Sequence, residues 1–548
     1  MSESIRRKYV GLSKLGLNGW AIGASLIALI VVAPILAVFY FALTPETNNW
    51  PHLVATVLPR YLSNTVILMV CVGALTAMVG TGAAWLVVMY RFPGRRWLQW
   101  ALLMPLAVPA YVGAYALVDF LEYAGPVQTS IRDYFGYATS REYWFPEIRT
   151  RGAAIIVLSA ALYPYVYILA RAAFREQSGA AFEVARALGA GPFARFWRVG
   201  LPLARPAIAA GVAVVMMETV NDFGTVDYFA VQTLTTGIFT IWRSGGDLGG
   251  AAQIASLILV LVVVLVALEK LSRRKSRFAG SGRNQRPVVP TDLDGFGAMA
   301  ATIACILPIL IGFFLPLAVL LGHAFDADQW AAPGLRDALL RTLIVCGLAA
   351  VLTVAGGVFM VYGVRMSRSK LPGKLMPLTG LGYAAPGAVL AVGILFPLAT
   401  IDNALADLVL WVTGTDPGLM LLGSAGVLVL AYVVRFFAIA QGTADAAFGR
   451  VADSLPMAAR SLGHTAGGTL RAVHVPLVRA SIASALLLVF VDAVKELPAT
   501  LLLSYEETLA TRVHAKASLE NLSDAAPAAL VITFVGLCAV LLLARTNR

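Results

Sequence analysis

Apolar runs of 18 residues or more recur along this chain of 548 residues and limit its fold more than any other feature. Each is long enough to cross a hydrocarbon layer of roughly 30 Å as a helix, and in lipid only helices or closed barrels satisfy every backbone polar group internally. In the first half the runs fall at 20–43, 63–90, 98–121, 152–174, 205–225 and 251–270. In the second they fall at 295–322, 339–363, 375–398, 419–441, 480–503 and 525–544. The expected fold is an all-α polytopic membrane protein of about twelve transmembrane helices, in two parallel six-helix repeats related by an axis along the membrane normal.

The residues between the runs fix an expected orientation. A net charge of +12 would suit a nucleic-acid binder, but the basic residues sit mostly in short segments between apolar runs, as at 91–96, 171–205, 365–374 and 450–479. That is the pattern of loops held in the cytoplasm, so a lipid bilayer and not a nucleic acid is the expected partner. Arg6, Arg7, Lys8 and Lys14 precede a first run too long for a signal peptide, and Arg545 and Arg548 close the chain, so both termini are expected in the cytoplasm. The longer segments 122–150 and 399–418 then fall outside, where a partner could be received. A basic, Gly/Ser-containing stretch at 269–292 reads as a cytoplasmic linker between a first repeat, 1–268, and a second, 293–548.

One polar motif occurs twice. Glu183-Val-Ala-Arg-Ala-Leu-Gly189 is followed by Leu201-Pro202, and 274 residues later, half the chain length, Met457-Ala-Ala-Arg-Ser-Leu-Gly463 is followed by Val475-Pro476. Ala181, Val184, Ala185 and Leu188 have the spacing of a short amphipathic helix, which Gly189 and Gly191 can end in a left-handed turn. Pro192 forbids simple continuation, and a second short helix is expected through Phe196 and Trp197 to Pro202. Such a unit could lie on lipid or dock into a groove of another protein. Lipid anchoring demands no fixed Gly-to-Pro spacing, so the repetition favours docking.

After each loop, at the same interval, comes an apolar span carrying charge: Glu218 and Asp222 with Asn221, and Asp492, Lys495 and Glu496. Spacings of i, i+3 and i+4 put each set on one helix face, toward a bundle interior or a water-filled path. Internal pairing is the other reading, with Lys495 answering Asp492 and Gly224 or Pro498 breaking the helix. Four carboxylates against Lys495 leave a net of −3, which would favour a cation. The chain holds no phosphate-binding Gly-Lys-Ser/Thr motif, since Gly373-Lys374 lacks its context, so ATP hydrolysis by this chain is not expected. Cys71, Cys305, Cys346 and Cys538 lie inside apolar runs, and His52, His323, His464, His474 and His514 are scattered, so no metal set is assigned. His464 and His474 read as polar loop surface.

Glu183-Val-Ala185 with Gly189 and Leu201-Pro202 resembles the Glu-Ala-Ala loop of type I ABC importer permeases, and Ala458 to Gly463 with Val475-Pro476 resembles its second copy. The resemblance implies that Glu183, Ala185, Gly189 and Pro202, and again Met457, Ala459, Gly463 and Pro476, couple the chain to two copies of an ABC ATPase subunit on the cytoplasmic side. It further implies a periplasmic or extracellular solute-binding protein, a bacterial inner-membrane location, and ATP and Mg used by the partner subunit with no cofactor bound by this chain. Met457 stands where the acidic residue is expected. Asp453, one helical turn earlier, could substitute for it. The runs around Glu218 to Phe229 and Val491 to Leu503, with Pro109-Ala-Tyr-Val and Ala385-Pro-Gly-Ala, resemble the fused permeases of ferric-iron importers in particular; permeases for thiamine, phosphonate, polyamines and sulfate are related. From a different class, an ion-coupled secondary transporter could also have two six-helix halves, but it has no need of a repeated docking loop.

Overall fold

The computed structural model describes residues 18–45, 49–274, 288–325, 327–367, 369–504 and 506–546. Both chain ends and most of the basic linker, on which the orientation and linker expectations fall, lie outside the described residues. Eleven described helices are long and apolar enough to cross a membrane. In order they are α1 (Gly19–Leu43), α2 (Leu58–Met89), α3 (Arg151–Arg175), α4 (Pro192–Asn221), α5 (Leu248–Leu271), α6 (Gly295–His323), α7 (Leu335–Met366), α8 (Gly387–Thr413), α9 (Ala425–Phe448), α10 (Ala466–Val494) and α11 (Leu522–Leu542). A bent pair, Arg95–Ala107 with Ala110–Phe135, makes a twelfth if counted as one span.

Proline accounts for most departures from the expected spans. The run at 98–121 is not one helix, because its two pieces meet at 92°. Pro105 lies in the tight turn Met104–Ala107 and Pro109 precedes the next helix, and neither can donate to a helical ladder. The run at 375–398 is likewise broken: a helix Leu371–Thr379 comes first, and α8 opens only after Pro386. From there α8 continues to Thr413 and ends on Gly414 at φ 73°, so most of the expected loop 399–418 is helix. The second of the segments expected outside is thus short, whereas the first holds a helix, Pro126–Phe135, and a long irregular stretch after it.

The chain divides into two compact units that do not follow its linear halves. Unit 1 comprises Met1–Trp50, Ile238–Leu259 and Arg336–Thr511; unit 2 comprises Pro51–Gly237, Val260–Leu335 and Arg512–Arg548. The repeat boundaries describe correspondence of sequence, whereas these units describe packing. In unit 1, α1 lies against helices of the second half: Trp20 packs on Phe359 and Tyr362 of α7, each at 5.0 Å between ring centroids, and Phe41 stacks on Phe396 of α8 at 4.1 Å. Gly393 lets α8 approach so closely that a Cβ there would collide with the carbonyl of Pro34. In unit 2 the reciprocal helix α6 lies against the first half, and Gly312 meets the carbonyl of Ala160 on α3 in the same way. Small residues let helix backbones approach where lipid offers no hydrophobic drive to association. The core of unit 2 joins Leu68, Val72, Leu158, Val166 and Val215 from α2, α3 and α4. A two-residue parallel ladder, Tyr90–Arg91 with Thr291–Asp292, ties the end of the linker to the foot of α2.

Candidate functional site: two coupling loops and the helix breaks behind them

The first loop begins with the helix Gly179–Ala187, which closes on Gly189 at φ 81°. Gly189 N–H donates to Arg186 O at 3.0 Å and Ala190 N–H to Ala185 O at 2.9 Å, the two bonds of a Schellman cap. The second loop repeats both: its helix Ser454–Ser461 closes on Gly463 at φ 88°, with Gly463 N–H to Arg460 O at 3.0 Å and His464 N–H to Ala459 O at 3.1 Å. Ala185 and Ala459 thus supply the accepting carbonyls. A Cβ on Gly189 or Gly463 would meet nothing within 4 Å, so the demand for glycine there is purely one of backbone conformation. Gly191 is extended, at φ −65° and ψ 172°, and serves as the cap of the next helix; the left-handed turn uses Gly189 alone.

That next helix is not the separate short piece expected. It runs from Pro192 through one π turn, Phe196–Gly200, straight into α4, and the second copy runs from Ala466 through the π turn Leu470–His474 into α10. Leu201 N–H bonds Phe196 O and Val475 N–H bonds Leu470 O, one residue beyond the normal helical partner. Pro202 and Pro476 follow at once. A proline ring clashes with the carbonyl four residues back, and the wider turn shifts that carbonyl out of register, so the helix continues. The π turn Leu310–Phe314 before Pro316 in α6 obeys the same rule.

Each loop is anchored differently. In unit 2, Trp85 meets Phe174, Phe182 and Phe196 at 5.1 to 5.9 Å, and Gly200 leaves the space that Trp85 fills. At the place of Gly200 the second loop carries His474, which is 5% exposed and stacks on Phe448 at 4.8 Å and edge-on to Tyr362 at 5.4 Å. His474 is therefore a buried anchor and not polar loop surface. The outward faces remain open: Leu188 and Leu462 are each 82% exposed, Phe193 75% and Met457 62%. Glu183 is exposed and makes no hydrogen bond or ion pair among the described residues. Asp453 is the N-cap of its helix, its carbonyl accepting Met457 N–H at 3.3 Å, which places it one turn before Met457.

Behind the loops, the charged residues do not share one helix face. Helix α4 ends at Asn221 and Asp222 is already extended. Its carboxylate accepts from Thr225 N, Thr225 Oγ1 and Val226 N at 2.9 to 3.1 Å, capping the short helix Gly224–Tyr228. Helix α10 ends at Val494, Lys495 terminates it, and Glu496 accepts from Ala499 N at 3.2 Å, so it caps the helix Pro498–Leu503. Gly224 and Pro498 begin these short helices and do not cause the breaks. Lys495 lies within Coulombic reach of Asp492. Glu496 pairs with Arg435 of α9 at 2.9 Å, with side chains 5% and 9% exposed. Arg435 was overlooked in the sequence, although a lone arginine inside an apolar run is itself a signal that a carboxylate lies nearby. It changes the charge count: in unit 1, Asp492 and Glu496 are balanced by Lys495 and Arg435. In unit 2, Glu218 is half-buried on α4, and Asp227, also missed, lies 3.9 Å from His514, which contacts Tyr115 Oη at 2.7 Å.

Membrane-spanning helices carrying two loops with the same cap and π turn resemble those of type I ABC importer permeases. In keeping with this, residues 76–278 match the family of binding-protein-dependent transport system inner membrane components. The chain is 26% identical over 479 residues to the Fe(3+)-transport system permease protein FbpB 2 of Haemophilus influenzae, covering 86% of this chain and 87% of that protein. It is 25% identical to the putative ferric transport system permease protein FbpB 1 of the same organism, over 76% of this chain and 65% of that one. The molybdenum transport system permease protein ModB of Escherichia coli is 27% identical over 202 residues, 35% of this chain and 84% of ModB. These relatives are permease subunits, and their family implies an ABC ATPase and a solute-binding protein as partners.

Proposed function

We propose that this chain forms the membrane pathway of an ATP-driven, binding-protein-dependent importer for ferric iron. The supporting observation is one of extent. The ferric-transport relative aligns with both halves of this chain along most of its own length. The molybdenum relative covers only 35% of this chain, and a sulfate permease relative 38%. With the charges of unit 1 balanced by Lys495 and Arg435, the net over the four carboxylates falls from −3 to −2, and the choice of a cation rests chiefly on these relatives. Two ATPase copies engage one chain, one at each loop, on the cytoplasmic side where both termini lie, and a solute-binding protein delivers cargo from the opposite side. ATP and Mg are used by the partner, and this chain binds no cofactor. The first repeat, 1–268, and the second, 293–548, are joined by the basic linker.

The test is reconstitution in liposomes with the ATPase and binding protein that co-purify. ATP-dependent uptake of ⁵⁵Fe is expected, without uptake of molybdate, sulfate, thiamine, phosphonate or polyamine. Uptake of one of these in place of iron would overturn the substrate, and transport driven by an ion gradient without ATP would overturn the class.

A further inference from the structure

Unit 2 holds a cavity of about 900 Å³ away from its coupling loop, reached from the helix break only by Tyr228 at the end of the short helix there. Its long wall is α6, where Leu310, Phe314, Ala318 and Gly322 recur at four-residue spacing along one face. Leu310 and Phe314 are 49% and 39% exposed, so part of this wall stands uncovered among the described residues. The rim is charged: Asp119, Glu122, His323 and Glu520 line it. Asp119 Oδ2 lies 2.9 Å from His323 Nε2, and His323 Nδ1 lies 3.1 Å from Ser523 Oγ. Arg149 donates to Glu122 at 2.6 Å and to Glu520 at 2.9 Å, with its guanidinium 5.0 Å above the ring of Tyr228.

We propose that this cavity seats one phospholipid bearing an ammonium headgroup, of the phosphatidylethanolamine kind. Length selects a lipid. From Leu310 to Val319 the apolar wall rises ~14 Å at ~1.5 Å per residue, which matches the ~15 Å of hydrocarbon in one leaflet. The charged rim starts one turn further on, at His323, the level of headgroups. A soluble ligand or a partner's side chain has no need of an apolar wall of leaflet length.

Charge selects the headgroup. Among the described residues, Glu122 and Glu520 share the guanidinium of Arg149 and Asp119 is engaged by His323, so the rim carries a surplus of negative charge. An ammonium group answers that surplus. An anionic headgroup would instead meet three carboxylates and one guanidinium.

The experiment places the purified full-length chain in nanodiscs of equal phosphatidylethanolamine and phosphatidylglycerol and reads the lipid retained on the released protein by native mass spectrometry. The native protein should retain phosphatidylethanolamine in roughly fivefold preference, a difference of about 1 kcal/mol. Ala318→Trp, which fills the wall, should reduce retention to background. Glu520→Lys, at a side chain 72% exposed, should remove or reverse the preference, and it decides the matter if the first variant does not fold. Equal retention of both lipids by the native protein, a preference for phosphatidylglycerol, or retention unchanged by both variants would overturn the proposal.

Discussion

The outward face of the first loop carries Glu183, Val184, Phe193 and Trp197, and at the same four places the second carries Met457, Ala458, Gly467 and Arg471. Beneath these faces the caps, the left-handed glycines, the π turns and the prolines are superimposable in kind. The spans behind differ in the same sense: Asp222 and Glu496 both cap a short helix, but only Glu496 is also ion-paired, because Arg435 has Ala161 as its counterpart. What the two copies keep is backbone geometry, while the exposed side chains and the buried charge partners have diverged. The two copies are therefore alike in backbone and unequal in surface.

The largest expected effect tests the inequality behind the loops. Glu496→Gln leaves Arg435 buried without a counter-charge and should cost about 3–5 kcal/mol, whereas Asp222→Asn retains a capping side chain and should cost under ~1 kcal/mol. Denaturant unfolding of the detergent-solubilised chain measures both, and equal losses would mean that the Arg435 pair does not distinguish the halves. Next, Phe193→Ala with Trp197→Ala removes apolar surface available to a partner and should weaken ATPase binding by up to ~3 kcal/mol, while Arg471→Ala should change it by less than ~1 kcal/mol. Titration of the ATPase onto the immobilised chain reads the difference.

Smaller effects sharpen what is shared. Gly189→Val and Gly463→Val each force a branched residue into the left-handed region, at about 1–2 kcal/mol, and should lower coupled ATPase activity by roughly tenfold to the same degree in both loops. Full activity in either variant would break the equivalence of the two backbones. Last, Glu183→Ala should weaken ATPase binding by a few tenths to ~1 kcal/mol with a dependence on salt, and Met457→Ala should show no such dependence. A salt-sensitive loss in the Met457 variant would point away from Glu183 as the distinguishing charge.

The loops were legible because their signals are local. The glycine at the end of a short amphipathic pattern and the proline thirteen residues later recur at one offset, and both occupy special backbone conformations. The π turns were written in the same Leu-Pro and Val-Pro pairs, but Leu201-Pro202 reads as the end of a short helix, since nothing local says that a widened turn can carry a helix through a proline. The placement of Glu496 depended on Arg435, 61 residues away in sequence, and no spacing rule reaches that far. The bulk of the spans followed from hydropathy; the breaks near Pro105, Pro109 and Pro386 fell inside runs apolar enough to hide them. Least legible was the company each helix keeps, because Gly393 and Gly312 mark close contacts without naming the partner.

The exchange of α1 and α6 sets an order of events during synthesis. Helix α1 is made first, yet its packing partners α7 and α8 lie about 290 to 340 residues further along. At roughly 5–20 residues per second the ribosome needs some 15–70 s to deliver them. Throughout that interval Trp20 and Phe41 of α1 lack their ring partners on α7 and α8. Unit 2 is equally unfinished until α11 emerges at the end of the chain. Neither unit can be completed before the other is largely made, so a chain released after its first half keeps the packed α2, α3 and α4 but leaves α1 without its partners.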